Sequence, residues 1–239
     1  MKIQSHFLAV LAFAAMLPGC THRNPTVPAA DETKRQVYIA HAGGSINSYC
    51  YSNSLEAVQN TLTHGLDCME LDLCMTSDGQ LVAWHDWNYR WTGAPTHEQF
   101  MARKIYDQFT PIDFLRMDSI LTANPGLTLV TDKISNPAII DQWLGKYKNR
   151  LWVECFSDAD YWALQQMGYH VWASKVPPVR TDQPVAIRNY AFDYRLCPDL
   201  SKCDGDCFAL FGGTITKSDA DSLFATDPRI RFVYIDFYE

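Results

Sequence analysis

The chain has no clustered run of lysine and arginine, and its formal net charge is -7 over 239 residues. A protein that binds nucleic acid presents a basic face to the phosphate backbone. The sequence therefore argues against a nucleic-acid partner. In contrast, 47% of the residues are hydrophobic, which is ample material for a large buried core.

The amino terminus has no apolar run long enough to cross a bilayer, since the run after Lys2 covers only residues 7–17. A basic residue, a short apolar run and small residues are typical of a signal peptide. The sequence Leu-Pro-Gly-Cys at 17–20 is similar to the bacterial lipoprotein box, in which the signal is cleaved before a lipidated cysteine. We expect residues 1–19 to be a lipoprotein signal peptide. The alternative is an ordinary secretory signal with an incidental cysteine.

This prediction sets the expected location and domain organisation. A lipidated Cys20 would hold the protein at the membrane of a bacterial cell envelope, facing the periplasm or the exterior. Residues 20–35 are polar, contain proline and have no periodicity, so they predict a flexible tether. Residues 36–239 are then the folded domain, and an oligomer of it is compatible with the sequence.

The cysteines suggest a possible disulfide in one loop. Seven of the eight cysteines follow Cys20, which is an odd number for an oxidising compartment. Cys197, Cys203 and Cys207 lie close together in "CPDLSKCDGDC", and two of the three are candidates for a disulfide. A zinc site is the weaker alternative, because no second Cys-x-x-Cys pair or histidine pair accompanies the cluster.

Short apolar runs recur from residue 37 onwards and predict nine strands. They are VYIAHA, CMELDLC, LVAWHD, LTLVTDK, LWVECF, HVWASK, VAIRNYAF, FALFGGTI and FVYIDF. Amphipathic segments lie between them. Asn53 and Glu56 have the spacing of a capping box, and Thr110-Pro111 predicts the start of another helix. Strands that alternate with helices indicate an α/β fold with a parallel sheet.

Two parallel architectures are possible, an open doubly wound sheet and a closed (β/α)8 TIM barrel. No glycine-rich loop of the dinucleotide-binding type follows any predicted strand. Polar residues lie at or near the carboxyl ends of several different strands, as on the rim of a barrel, namely His41, Asp72, His85, Lys133 and Glu154. We predict the TIM barrel. The last strand ends three residues before Glu239, so we expect this barrel to lack its last outer helix and to cover that strand's outer face in another way.

Two acids lie on one face of the second predicted strand. Glu70 and Asp72 alternate with Met69, Leu71 and Leu73, which share the opposite face. Buried carboxylates side by side repel each other unless a cation or a proton is present. A hard cation such as calcium or magnesium fits such oxygen ligands, and an ion pair with arginine or lysine is the alternative. His41 and His85 would flank this site as acid and base.

These motifs together resemble the glycerophosphodiester phosphodiesterase family over residues 38–86. The matching stretches are HAGG, YSNSLEAV, Glu70-Leu71-Asp72 and TSDGQLVAWHD. The resemblance implies a TIM barrel in which His41 and His85 are the acid/base pair and Glu70 and Asp72 bind a metal ion. It also implies metal-assisted hydrolysis of a glycerophosphodiester, a small-molecule substrate, to glycerol 3-phosphate and an alcohol.

Two departures from the family pattern leave open how the substrate phosphate is bound and which residue is the third metal ligand. Ala42 stands where the family has arginine, and Thr131-Asp132-Lys133 stands where it has Glu-x-Lys. Lys133 is retained and is predicted to contact the substrate phosphate. The third metal ligand is then Asp132, whose strand parity is wrong unless the strand bulges, or Glu154. We favour Glu154, because it would face the barrel interior beside the strand of Lys133.

Because of these departures, two other functions stay possible on the sequence alone. One is a binding protein of the envelope, built on a barrel that has lost its catalytic activity. The other is a phospholipase-like phosphodiesterase of the same superfamily, which the sequence does not distinguish from the first reading.

Overall fold

The computed structural model describes residues 35–174, 189–196, 199–203 and 205–239, and all statements below concern this part of the chain. The predicted signal peptide, Cys20 and residues 21–34 lie outside it. Cys197 does too, so the predicted disulfide is untested. The described residues belong to one compact unit. No helix in the described ranges is long and apolar enough to cross a membrane.

The described strands confirm the predicted barrel. Nine strands are present, namely β1 (Val37–Ala40), β2 (Cys68–Met75), β3 (Leu81–Ala83), β4 (Thr128–Asp132), β5 (Leu151–Cys155), β6 (His170–Ser174), β7 (Asn189–Asp193), β8 (Cys207–Phe211) and β9 (Ile230–Ile235). All except β3 pair in parallel, in the order β1-β9-β8-β7-β6-β5-β4-β2. Pairing of β1 with β2 closes the ring.

The helices lie outside this ring and begin at residues whose side chains accept hydrogen bonds. They are α1 (Leu55–Thr63), α2 (His97–Met101), α3 (Phe114–Ala123), α4 (Pro137–Leu144), α5 (Asp158–Gln166) and α6 (Lys217–Phe224). Asn136 caps α4, which has proline as its first residue. Thr216 and Asp219 form a capping box at α6.

Apolar side chains fill both faces of the barrel strands, which explains their nearly continuous hydrophobic runs. One cluster lies inside the ring and includes Val130, Trp152, Trp172 and Phe232. The larger cluster packs between the strands and the helices, and includes Met69, Leu71 and Leu73 of β2. The alternation along β2 therefore turns Glu70 and Asp72 towards the interior.

Strand β3 corrects one sequence-based prediction, because it is not part of the barrel. It pairs antiparallel with the end of β2, from Leu73 opposite Ala83 to Met75 opposite Leu81. His85 therefore follows a returning hairpin strand, and the idea that it ends a barrel strand is wrong. The hairpin nevertheless brings the chain back to the rim, where the Trp84 N–H donates to the Asp72 carbonyl at 2.9 Å.

Two predicted helix starts also need correction. Ser54, and not Asn53, caps α1 by accepting from the Ala57 N–H. Glu56 does not complete a capping box, since its carboxylate accepts hydrogen bonds from the Thr110 N–H and hydroxyl at 2.8 Å each. Helix α3 begins after the cap Asp113, which is three residues later than Thr110-Pro111 predicted.

The outer face of β9 is covered as we expected. No helix lies between Ile235 and Glu239 in the described chain. Val233 and Ile235 are nevertheless fully buried, and they share the outer core cluster with Ala220 and Phe224 of α6. The neighbouring helix therefore covers the strand.

Candidate active site

Three carboxylates meet at the carboxyl end of the barrel. Glu70 and Asp72 extend from β2, and Asp132 ends β4. Each offers an oxygen that lies within 4.8 Å of the other two. The β2–β4 register runs without a bulge from Cys68 opposite Thr128 to Asp72 opposite Asp132. Asp132 is therefore on the same face as Asp72, and the parity objection to Asp132 is wrong.

The parity prediction failed because β4 stops one residue earlier than assumed. Lys133 lies outside the strand, with a left-handed φ of 69°. Its Nζ turns back to 2.8 Å from Asp132 Oδ2 and 3.9 Å from Asp72 Oδ1. Burial lowers the pKa of Lys133, but the carboxylates of Asp132 and Asp72 outweigh it and raise the pKa overall. The lysine is thus held charged beside two of the three acids.

The acidic cluster has more negative charge than Lys133 neutralises. Burial raises the pKa of Glu70 well above its usual range, and repulsion from Asp72 and Asp132 raises it further. Burial and Asp132 likewise raise the pKa of Asp72. The buried Oε1 of Glu70 has no hydrogen-bond partner among the described residues. An unpartnered carboxylate oxygen among close acids fits a hard divalent cation.

Glu154 lies on the neighbouring strand β5, level with Asp132 in the strand register, but outside this group of three. It is buried, and burial followed by repulsion from Asp132 raises its pKa to about 8. Its side chain has a hydrogen bond with Ser174 on the next strand. The structure therefore brings Asp132, and not the favoured Glu154, together with Glu70 and Asp72.

His41 is positioned by a residue that the sequence reasoning missed. Its Nδ1 lies 3.1 Å from Oδ1 of Asp236, which is fully buried just after β9. The other oxygen of Asp236 accepts from the Ile215 N–H at 2.8 Å. Because a carboxylate only accepts, His41 Nδ1 carries the proton and Nε2 is left as an acceptor. His41 Nε2 is 4.0 Å from Glu70 Oε2, so the ring lies at the edge of the acidic cluster.

The backbone of Ala42 takes part in the same arrangement. Ala42 is fully buried in a left-handed conformation, with φ 48° and ψ 41°. Its N–H donates to Glu70 Oε2 at 2.7 Å. The residue that replaces the family's arginine therefore orients Glu70 through its main chain and brings no positive charge.

Asn53 is a second residue that the sequence reasoning placed differently. Its amide nitrogen donates to Asp72 Oδ2 at 2.8 Å, and its amide oxygen accepts from the Asp72 N–H at 3.0 Å. Asn53 itself is buried with a left-handed φ of 50°. This paired contact fixes the Asp72 carboxylate, which explains why Asn53 does not cap α1.

His85 lies on the rim beside Asp72 but is held loosely. It is exposed, and its ring centroid is 5.6 Å from that of Tyr89. A positive charge on His85 lowers the pKa of Asp72, because the two side chains are close enough for their charges to interact. The structure therefore brings together the predicted residues His41, Glu70, Asp72, Asp132, Lys133 and His85.

Comparisons with known proteins show what this chain is similar to in sequence and in fold. Residues 41–137 match the model of the glycerophosphoryl diester phosphodiesterase family. The glycerophosphodiester phosphodiesterase of Haemophilus influenzae is 34% identical over 86 residues, which are 36% of this chain and 23% of that protein. The matching region thus spans about a quarter of the relative's length.

Solved structures share the fold over most of the chain. A glycerophosphodiester phosphodiesterase from Parabacteroides distasonis superimposes with a TM-score of 0.62 at 13% identity, covering 85% of this chain and 93% of that one. A phosphodiesterase from Oleispira antarctica, in complex with the product sn-glycerol-3-phosphate, has a TM-score of 0.61 at 16% identity. It covers 84% of this chain and 93% of that one.

The fold and the site define a TIM-barrel protein with an acidic centre and two histidines on its carboxyl rim. The segment that carries His41, Glu70, Asp72, His85 and Asp132 is the one that matches the family model. Over this segment the chain is similar to the glycerophosphoryl diester phosphodiesterase family.

Proposed function

We propose that the protein is a metal-dependent phosphodiesterase that hydrolyses glycerophosphodiesters to glycerol 3-phosphate and an alcohol. The observation that carries this proposal is the acidic group of Glu70, Asp72 and Asp132, whose ligand oxygens lie within 4.8 Å of one another beside His41. The product bound to the structurally similar Oleispira protein, sn-glycerol-3-phosphate, supports the choice of substrate class.

Glu70, Asp72 and Asp132 would hold the divalent cation, calcium or magnesium. When bound, the cation supplies positive charge for a phosphate oxygen. Lys133 offers a second positive charge at the same edge, since its side chain is 33% exposed and its Nζ lies beside Asp72 and Asp132. The phosphate is thereby oriented for attack, and its charge is stabilised.

The two histidines divide the proton transfers. His41, with its proton on Nδ1, accepts a proton at Nε2 from the nucleophile, which is water or the glycerol hydroxyl of the substrate. The nucleophile oxygen forms a bond to phosphorus as the bond to the leaving oxygen breaks. Attack by water gives glycerol 3-phosphate directly, whereas attack by the glycerol hydroxyl gives a cyclic phosphodiester that water then opens to glycerol 3-phosphate. Protonated His85 then donates its proton to the leaving alcohol. Asp236 keeps His41 in the required tautomer throughout.

The test is glycerol 3-phosphate release from a panel of glycerophosphodiesters, measured after chelation and after adding back calcium or magnesium. We expect chelation to abolish release and one of the two cations to restore it. Glu70→Gln should weaken both cation binding and turnover, because the amide keeps the shape and loses the charge. Glu98→Gln, on the exposed side of α2, is the matched control and should behave as wild type.

Three results would contradict the proposal. Activity that survives chelation would exclude metal dependence. A cation-loaded protein that binds glycerophosphodiesters and hydrolyses none would favour the binding-protein function, for which the missing positive charge at Ala42 is the motivation. Hydrolysis of intact phospholipids in place of glycerophosphodiesters would favour the phospholipase-like alternative.

We also propose that the protein acts from the bacterial envelope, held to the membrane by an acylated Cys20. The lipobox-like sequence at 17–20 and the polar residues behind it support this location. Mass spectrometry of the native amino-terminal peptide is the test. An unmodified peptide that contains Gly19-Cys20 in the mature protein would exclude it.

A further inference from the structure

A groove beside the acidic cluster has no role in the proposed chemistry. It is an open groove with a volume of ≈ 530 Å³. We call it the rim groove and define it by Leu73, Met75, Lys133, Ile134, Ile139 and Phe156. One wall is the part of β2 that extends towards the hairpin, and the opposite wall is the start of α4 with the loop before it.

Lys133 belongs both to the rim groove and to the candidate active site. Its Nζ lies within 4 Å of Asp72 and Asp132, while its side chain lines one end of the groove. A phosphate that contacts Lys133 therefore sits at the boundary between the two. One of its two ester arms would then be directed towards the groove.

The other residues of the groove are suited to an uncharged ester arm of the substrate. The other residues that line it are Leu73, Cys74, Met75, Ile134, Ser135, Asn136, Ile139 and Phe156, none of which is ionised at neutral pH. A quaternary or primary ammonium head group would find no carboxylate among these described lining residues. Phe156 is 47% exposed, so an apolar arm that covered it would remove apolar surface from water.

We propose that the rim groove binds the apolar arm of an amphiphilic phosphodiester, an alkyl chain esterified to the phosphate that contacts Lys133. This inference rests on the proposed function and names its substrate class. The protein then prefers diesters with such a chain to diesters whose two arms are both small and polar. Burial of each methylene group favours binding by about 0.8 kcal/mol, or about fourfold in affinity.

The test uses n-alkyl phosphates with two, four, six and eight carbons, which are monoesters and bind without being substrates. The dissociation constants are measured by calorimetry on the full chain with Cys20→Ser, in the presence of calcium or magnesium and without detergent. We expect the affinity to rise roughly two- to fourfold per added methylene. Equal affinities for ethyl and octyl phosphate would overturn the inference.

Variants locate the effect in the groove. Phe156→Ser and Ile139→Asn should flatten the dependence on chain length and leave the affinity for ethyl phosphate unchanged. Leu115→Ser is the matched control, since Leu115 is 73% exposed on α3 and does not line the groove. An unchanged slope in a folded Phe156→Ser protein would also overturn the inference.

These experiments distinguish a failure of the groove proposal from a failure of the proposed function. An affinity that rises with alkyl chain length, without hydrolysis of any diester, would contradict the proposed function but support the groove as a binding site. Hydrolysis of glycerophosphodiesters with a KM that does not fall as the alkyl arm lengthens would keep the function and exclude the groove as a substrate site.

Discussion

The two histidines of the site are held in very different ways. The His41 side chain is 20% exposed, its Nδ1 contacts the buried Asp236 at 3.1 Å, and its ring packs edge-on against Tyr51 and Tyr234. His85 is exposed, and its described ring contact is with Tyr89, itself 70% exposed. One ring is fixed by the barrel, and the other lies on a hairpin above it.

This difference indicates which part of the site is organised before substrate binds. The tautomer and orientation of His41 are set by the protein's own Asp236, which suits a general base. The exposed ring of His85 has few described contacts to hold it. In the mechanism we propose, the fixed histidine would serve the step common to all substrates, and the exposed one would serve the step that differs with the leaving group.

Removing each histidine gives the largest expected effects and tests the comparison directly. His41→Ala and His85→Ala should each lower kcat on the order of 10²- to 10⁴-fold. Only His41→Ala should also destabilise the fold, by about 1–3 kcal/mol, because the buried Asp236 carboxylate loses its hydrogen bond from the imidazole. Paired measurements of kcat and thermal midpoint check this. Equal stability losses in the two variants would contradict the asymmetry.

Changing Asp236 should have a smaller effect on turnover. We expect Asp236→Asn to lower kcat about 10- to 100-fold, because an amide can also donate and no longer specifies the Nδ1–H tautomer. Nitrogen NMR of the imidazole should show a loss of that tautomer. Asp227→Asn, before β9 and paired with Arg229, is the control and should affect stability alone. An unchanged tautomer in Asp236→Asn would exclude the positioning role.

The smallest effect concerns pH and the buried acid that lies outside the group of three. The folded pKa of Glu154 is raised to about 8 from an ordinary value of 4.5, so the folded state binds more protons between these values. The contribution of Glu154 to the free energy of unfolding is then fully present below about pH 4.5, and it falls as the pH rises towards 8. The thermal midpoint of chelated protein should fall over this range, and Glu154→Gln should make the fall shallower.

Adding a cation should change this pH dependence of the thermal midpoint. Addition of calcium or magnesium should raise the midpoint most at high pH, where the acids are ionised. A midpoint of the chelated wild type that rises between pH 5 and 8 would contradict the direction of the pKa shifts.

The sequence predicted the barrel and the acids of β2 because alternation along a strand is a local property. It did not predict the direction of β3, although a signal was present. Only residues 76–80 separate β2 from β3. A parallel connection needs about a dozen residues or more, so this spacing permits only a hairpin.

The other missed features depend on conformations that the residue type does not specify. Lysine is uncommon at positive φ, so nothing in Thr131-Asp132-Lys133 indicated that β4 ends at Asp132. Asn53 has a residue type and spacing that suit a helix cap, and its tie to Asp72 depends on tertiary structure. Asp236 could have been predicted as a site residue, because it follows the carboxyl end of a predicted strand, as the other site residues do.

The antiparallel hairpin has one more consequence, which concerns distance. The three pairs between β2 and β3 determine how far along the hairpin His85 emerges. A slip of two residues keeps every side chain on its own face but moves the strand by about 7 Å, which would carry His85 out of reach of a phosphate at Asp72. The strand register therefore works as a molecular ruler. The turn at 76–80 can accept changes in composition, but the number of residues between Asp72 and His85 cannot change freely.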